Sequence, residues 1–307
     1  MIDCKLSMME LLFKNPIGGV KVKKLLGLVI IFVVSTVLVL TSCNIKVDFG
    51  GEESSANEKR LLVATDAQFP PFESLGGDGM ITGFDADILN AIAKEAGIEA
   101  DLKHVGWEPM FKEVEQDKAD AAIAAISITP ERQSKYDFTN PYFISKQLLL
   151  LPVESNASSM EDLKGQKIGT LVNSTGSKTV KKEFGENYSK LKEFDDIPTA
   201  VKELAAGRLS AVVADSGVVK YYVKTLEKSE IKKEEKISSS NGEQTFIVKV
   251  GSTKIKALED PFFTPESYGI VVKKGNAELL KKLNDGLQKI RANGTYDKIY
   301  KKYFGEE

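Results

Sequence analysis

The sequence is poor in the residues on which many enzymes and metal sites depend. Its 307 residues include one histidine, His104, two cysteines, Cys4 and Cys43, and one tryptophan, Trp107. So few thiols and imidazoles cannot supply a Cys/His zinc cluster of the usual spacing. They leave Ser-His and Cys-His nucleophilic arrangements only where His104 takes part. No cofactor or metal is expected. Excess positive charge is missing as well. The formal net charge is −2, and no basic patch of the kind that binds nucleic acid is visible. The uncharged apolar run from Leu25 to Leu40 has 16 residues, short of the roughly 20 that span a bilayer as a helix.

That run has the layout of a secretory leader. Lys21, Lys23 and Lys24 precede it, and a short basic segment before an apolar core is a signal-peptide pattern. It ends in Leu40-Thr41-Ser42-Cys43, which resembles a bacterial lipobox. The resemblance implies that the Cys43 thiol is diacylglycerylated and that the chain is cut just before it. The plainer alternative is an uncleaved anchor with an incidental cysteine. Residues 1–21 add nothing to a signal start, so translation is expected to begin near Val22. Cleavage would remove Cys4, leaving no intrachain disulfide. The chain is then divided into a lipoprotein signal peptide at 1–42 and a flexible tether at 43–59, the latter polar and without periodicity.

Beyond the tether the pattern alternates. Leu61 to Ala64 reads as a buried strand. Asp85 to Ala96 has apolar residues at helical spacing and is stopped by Gly97. Pro109 to Lys118 reads as a helix and Ala119 to Ile126 as a strand of small residues. The rhythm then repeats: strand at Lys167–Leu171, helices at Ser177–Phe184 and Pro198–Ala206, strand at Ser210–Ala214. The alternation predicts an α/β fold with largely parallel sheets, built as two similar lobes. Lys224 to Lys236 is charge-rich and reads as a solvated face or loop. Thr245 to Val250 is a candidate extra strand and Tyr268 to Val272 another. Leu279, Leu280, Leu283, Leu287 and Ile290 form a helical stripe, after which Thr295 is read as the cap of a last helix.

Ligands in open parallel sheets bind at the carboxyl ends of strands. Asp66, Ser127, Asn173 to Ser177 and Asp215 fall at such ends. Thr129-Pro130-Glu131 is a strong helix start, yet Arg132 follows within the first turn, where a cation opposes the helix dipole by ~0.3–1 kcal/mol. Either a bound carboxylate compensates, held bidentately by the guanidinium, or a local pair with Glu131 or Asp137 does. Gly176-Ser177 offers free N–H groups at a helix start, or a simple serine cap. Asp66 and Asp215 each suit an ammonium group, or a turn. Phe69, Phe72 and Trp107 suit an enclosing wall, or core. His104 reads as a surface residue.

The segments LLVATDAQFPPFE, ITGFDADILNAIAKEAG, SITPERQSKYDFTNPYF, IPTAVKELAAGRLSAVVAD and ANGTYDKIYKKYFG stand in this order between Leu61 and Gly305. Together they resemble the bacterial extracellular solute-binding proteins of family 3. These are the substrate-binding lipoproteins of polar amino acid ABC importers, with the type II periplasmic-binding fold. The resemblance implies two lobes, 60–142 with 266–307 and 143–265, each with a mixed sheet flanked by helices. Two strands near Tyr142–Leu150 and Pro265–Val272 would form the hinge. It implies a monomeric partner of a permease and an ATPase, held at the extracytoplasmic face of the membrane by the lipid on Cys43.

The resemblance also implies roles by position. Asp66 meets the ligand's ammonium or side-chain end beside Phe69, and Trp107 forms a wall. Ala125 offers its backbone and Ser127 its hydroxyl, while Arg132 holds the α-carboxylate. Val172, Thr175, Gly176 and Ser177 close from the second lobe, and Asp215 takes the α-ammonium. Ala125 departs from the glycine or serine often found there, Asn173-Ser174-Thr175 replaces a glycine-rich turn, and residues 225–265 are longer than expected. The ligand expected is a basic or amide amino acid. An enzyme on the same fold, such as a dehydratase, would need a general acid or base, and no glutamate or histidine stands at the carried-over positions. A ligand-sensing subunit is the third reading.

Overall fold

The computed structural model describes residues 60–231 and 254–305. The leader, Cys43, the tether and the strand expected at Thr245–Val250 lie outside those residues. The first part of the described chain runs β1 (Leu61–Thr65), β2 (Gln68–Phe69), β3 (Glu73–Leu75), β4 (Ile81–Thr82), α1 (Phe84–Ala96), β5 (Ala100–His104), α2 (Trp107–Glu115), β6 (Ala121–Ala122), α3 (Pro130–Lys135) and β7 (Tyr136–Phe138). It continues through β8 (Phe143–Pro152), β9 (Ile168–Leu171), α4 (Thr175–Phe184), β10 (Leu191–Phe194), α5 (Ile197–Ala205), β11 (Ala211–Asp215) and α6 (Ser216–Ile231). It ends with β12 (Ile255–Leu258), β13 (Pro265–Tyr268), β14 (Val271–Lys273), α7 (Ala277–Ala292) and α8 (Thr295–Phe304).

Two mixed sheets result. The first has the order β5-β1-β6-β14-β7, and the second β10-β9-β11-β8-β12, with β13 also paired to β8. In each, three strands are parallel, as the strand–helix alternation predicts: β5, β1 and β6 in one, β10, β9 and β11 in the other. Antiparallel strands complete both. The ten-residue β8 joins two ladders. Its residues 143–146 pair with β13, and 147–152 pair with β11 and β12. The two segments read as hinge strands are therefore paired with each other.

The structure corrects several boundaries. The strand expected over Ala119–Ile126 forms a ladder only at Ala121–Ala122. Ala125 has φ +47° and its N–H donates to Asp85 Oδ2 at 2.7 Å, so the chain is drawn out of the ladder before the strand can continue. The helix read from Pro109 begins at Trp107. Its first turn leaves N–H groups free, so Pro109, which has none to donate, fits near the start. Ser174, not Ser177, caps α4, its hydroxyl accepting the Ser177 N–H at 3.0 Å. The charge-rich stretch from Lys224 is helical as far as Ile231. Tyr268–Val272 divides into β13 and β14 around Gly269-Ile270. Gly294, in the left-handed region at φ +75°, precedes α8 as its N-cap, and Thr295 is the first helical residue.

An aromatic cluster at the pairing of β8 and β13 closes the structure on itself. Phe72, Phe84, Phe143 and Tyr268 pack edge-on and stacked, and α8 adds Tyr300 and Phe304. Helix α7 lies on α1 at Gly286, where a Cβ would stand 2.6 Å from the Ile92 carbonyl oxygen.

Candidate functional site

The carboxyl ends of β1 and β11 and the start of α4 converge on one cavity. Asp66, Phe69, Glu73, Trp107, Ala125, Ser127, Arg132, Thr175 and Asp215 line it, with Ala124, Leu171 and Ser174. The empty space, solvent at its mouth included, is ≈ 320 Å³.

Arg132 is the cation of this cavity. Thr129 caps α3 by accepting the Arg132 N–H at 3.2 Å, which fixes the arginine in the first turn as the sequence predicts. Its side chain is buried. The guanidinium lies 5.1 Å from the Trp107 ring centre and 5.6 Å from that of Phe111. It donates one hydrogen bond, to the Ser127 carbonyl at 3.0 Å. Among the described residues it has no ion-pair partner. The two local candidates are engaged elsewhere, Glu131 with Lys178 and Asp137 with Lys274. Burial holds the guanidinium below its ordinary pKa, against the upward pull of Glu266 and Asp215.

Carboxyls surround it. Asp66, at the end of β1, is 2% exposed and its Oδ1 has no hydrogen-bond partner among the described residues. Burial first, and then the charge of Asp196, raises it to about 7. His104 Nδ1 stands 3.9 Å from Asp66 Oδ1 and accepts the Ala67 N–H at 3.0 Å. His104 is thus a positioned residue on β5, not a free surface side chain. Asp215 is the last residue of β11 rather than the residue after it. Its Oδ1 accepts from Tyr268 Oη at 2.5 Å and from Gln147 Nε2 at 3.2 Å. Burial, then Glu266, raises it to about 7.

Several groups in and around this cavity were not anticipated from sequence. Glu73, from the FPPFE segment, is buried beside Asp85, and burial together with the charges of Asp85 and Asp66 pushes its carboxyl well above the usual range. Asp85, at the start of α1, accepts from Tyr142 Oη at 2.7 Å and from the Ala125 N–H, and burial raises it to about 6. Glu266 on β13 accepts from Ser127 Oγ at 2.6 Å and from Thr175 Oγ1 at 2.7 Å. Gln147 on β8 reaches Thr175, Asp215 and Glu266. Glu73 in the lining and Glu266 beside it thus stand outside the positions that the resemblance carries over.

The remaining expected residues divide. Phe69 and Trp107 line the cavity as a wall, and Ser127 and Thr175 also line it, each donating its hydroxyl to Glu266. Ala125 reaches it too, but its N–H is committed to Asp85. Val172 lies off the lining and donates its N–H to the Phe194 carbonyl. Gly176 faces Gln147 and the Val213 carbonyl, where a Cβ would meet atoms at 3.0 and 3.1 Å. Ser177 points away and donates to Glu193 Oε1 at 2.6 Å. With α4 starting at Thr175, two residues at about 100° each rotate the serine to the far face.

A family model described as bacterial extracellular solute-binding proteins, family 3, matches residues 61–306. A probable histidine-binding protein of Neisseria gonorrhoeae is 37% identical over 250 residues, covering 81% of this chain and 84% of the relative. The arginine-, lysine-, histidine-binding protein ArtJ of Geobacillus stearothermophilus matches with a TM-score of 0.71 and 36% identity, over 81% of this chain and 96% of that one. An ancestral arginine-binding protein bound to glutamine gives a TM-score of 0.68 at 36% identity, over 80% and 98%.

Proposed function

Because the chain belongs to the bacterial extracellular solute-binding proteins of family 3, we propose that it is the substrate-binding subunit of an ABC importer for a basic amino acid. The carrying observation is the charge pattern of the cavity. Arg132, buried and without an ion-pair partner among the described residues, shares the lining with Asp66, Glu73 and Asp215, and Glu266 stands within electrostatic reach of it. Such a cavity suits a ligand with one carboxylate and more than one cationic group. Arg132 holds the α-carboxylate bidentately, Asp215 the α-ammonium, and Asp66 the far end of the side chain along the wall of Phe69 and Trp107. The relatives named for histidine, and for arginine, lysine and histidine, support this class. Glutamine in the ancestral neighbour favours an amide ligand as the second reading.

Ligand contacts from both sheets favour the closed arrangement of lobes 60–142 with 266–307 and 143–265, hinged at β8 and β13. The protein acts as a monomer, held by acylated Cys43 at the outer membrane face and delivering its ligand to a permease and ATPase. Thermal unfolding against the twenty amino acids tests the class. A basic amino acid at one hundred times its Kd should raise the midpoint by roughly 5–10 °C, and a rise with acidic or aliphatic amino acids alone would overturn it. Glu73 and Glu266 make the enzyme reading testable too: arginine incubated with the protein should be recovered unchanged.

A further inference from the structure

Glu266 occupies a position that the family resemblance leaves without a role. It sits on β13, which crosses between the sheets paired to β8. Its Oε2 accepts hydrogen bonds from Ser127 Oγ, on the segment leaving the first sheet, and from Thr175 Oγ1, at the start of α4 on the second. One carboxylate on the crossing strand thus gathers a hydroxyl from each side of the cavity. Its Oε1 lies 3.4 Å from Gln147 Nε2, the same amide that stands 3.2 Å from Asp215 Oδ1. Tyr268, two residues along β13, donates to that Asp215 oxygen. Two carboxylates therefore share one amide donor beside the cavity, one of them, Asp215, in its lining.

Resting on the basic-amino-acid reading above, we propose that Glu266 is a specificity-determining residue. With Asp215 it forms a paired-carboxylate site for the ligand's ammonium group, and its two hydroxyl contacts tie occupation of that site to closure.

The charges bearing on the pair make this arrangement selective. Asp215 is faced by Glu266 and Tyr268 from β13, Gln147 from β8, Arg132 from α3 and Glu73 from β3. Arg132 is the one cation among these groups. Glu266 stands second only to burial in raising the Asp215 carboxyl. A cation placed between the two carboxylates relieves their repulsion, which a neutral or acidic group at that point does not. Removing the Glu266 charge therefore has two effects of opposite kind. It weakens ammonium binding, and it lets Asp215 ionise at lower pH.

Calorimetric affinities for L-arginine between pH 5.5 and 8.5 test this on wild type, Glu266→Gln and Glu266→Asp. The glutamine variant should bind ~10–100-fold more weakly at pH 8, with the midpoint of its pH profile displaced to lower pH. The aspartate variant keeps the charge but draws it back from Ser127 and Thr175. It should lose affinity with its midpoint unmoved, and it carries the test if the glutamine variant fails to fold. Unchanged affinity in either variant overturns the proposal. So does equal displacement of both midpoints, the mark of a structural role. A wild-type protein that binds no basic amino acid defeats the underlying reading instead, and is recognised before any variant is compared.

Discussion

Replacing Arg132 by alanine separates binding from folding more sharply than any other single change at this site. The guanidinium has one protein hydrogen bond, to the Ser127 carbonyl, and the faces of Trp107 and Phe111. A ligand carboxylate held by two charge-assisted hydrogen bonds draws about 1.5–3 kcal/mol from each. Their loss sums to about 3–6 kcal/mol, or roughly 150- to 20,000-fold in Kd. The unliganded protein responds differently. Truncation forfeits cation–π contacts worth about 0.5–2 kcal/mol each, but it also removes a buried cation that has no ion-pair partner among the described residues, whose desolvation works the other way. The two terms oppose, and the melting midpoint of the ligand-free variant should stay within about 4 °C of wild type. Calorimetry with L-arginine, paired with thermal unfolding of the free protein, reads both numbers. An affinity within threefold of wild type refutes the carboxylate role. Arg132→Lys, which keeps the charge but not the fork, should fall between.

Binding and stability should depend on pH in opposite directions. Asp66 and Asp215 stand near 7 in the unliganded protein, and a cationic ligand favours their ionised forms. Affinity for arginine should therefore decline as pH falls below 7, by up to about tenfold per pH unit for each group; a flat profile from pH 8 to 5.5 would contradict this. The same raised values disfavour the folded state once pH exceeds the unfolded carboxylate range, so the free protein's melting point should rise on acidification from pH 8 to 5. Gly286→Ala places a methyl 2.6 Å from the Ile92 carbonyl oxygen and should destabilise by ~1–3 kcal/mol, a drop of several degrees in thermal unfolding. Cys43→Ala should move the protein from the membrane fraction to the soluble fraction, and retention in the membrane pellet would count against acylation.

Much of the scaffold was legible because its signals are local. The Thr129-Pro130 start sets α3, Gly97 stops α1, and the apolar strands at 61–65 and 211–215 stand within a residue of their expected places. Arg132 was singled out by its misfit with the helix dipole, and the structure removes both local partners that could have explained it. What escaped was assembled across distance. Glu266 meets Ser127 and Thr175 across 139 and 91 residues of chain, and nothing near PESYG announces either contact. Glu73 lay inside a quoted motif, but a short-range reading cannot tell that β3 brings it beside Asp85. The helix at 175 began two residues earlier than Ser177 suggested, enough to turn that serine from the cavity to Glu193.

One consequence is optical. Trp107 is the sole tryptophan of the chain, and it rests 5.1 Å from the Arg132 guanidinium at the rim of the cavity. Intrinsic indole emission thus originates beside the proposed carboxylate subsite. A ligand that neutralises the cation above the ring changes the local field at the fluorophore. The ring itself is already buried, 7% exposed. The protein carries its own reporter dye, and titrations can be followed in the unmodified molecule without a label.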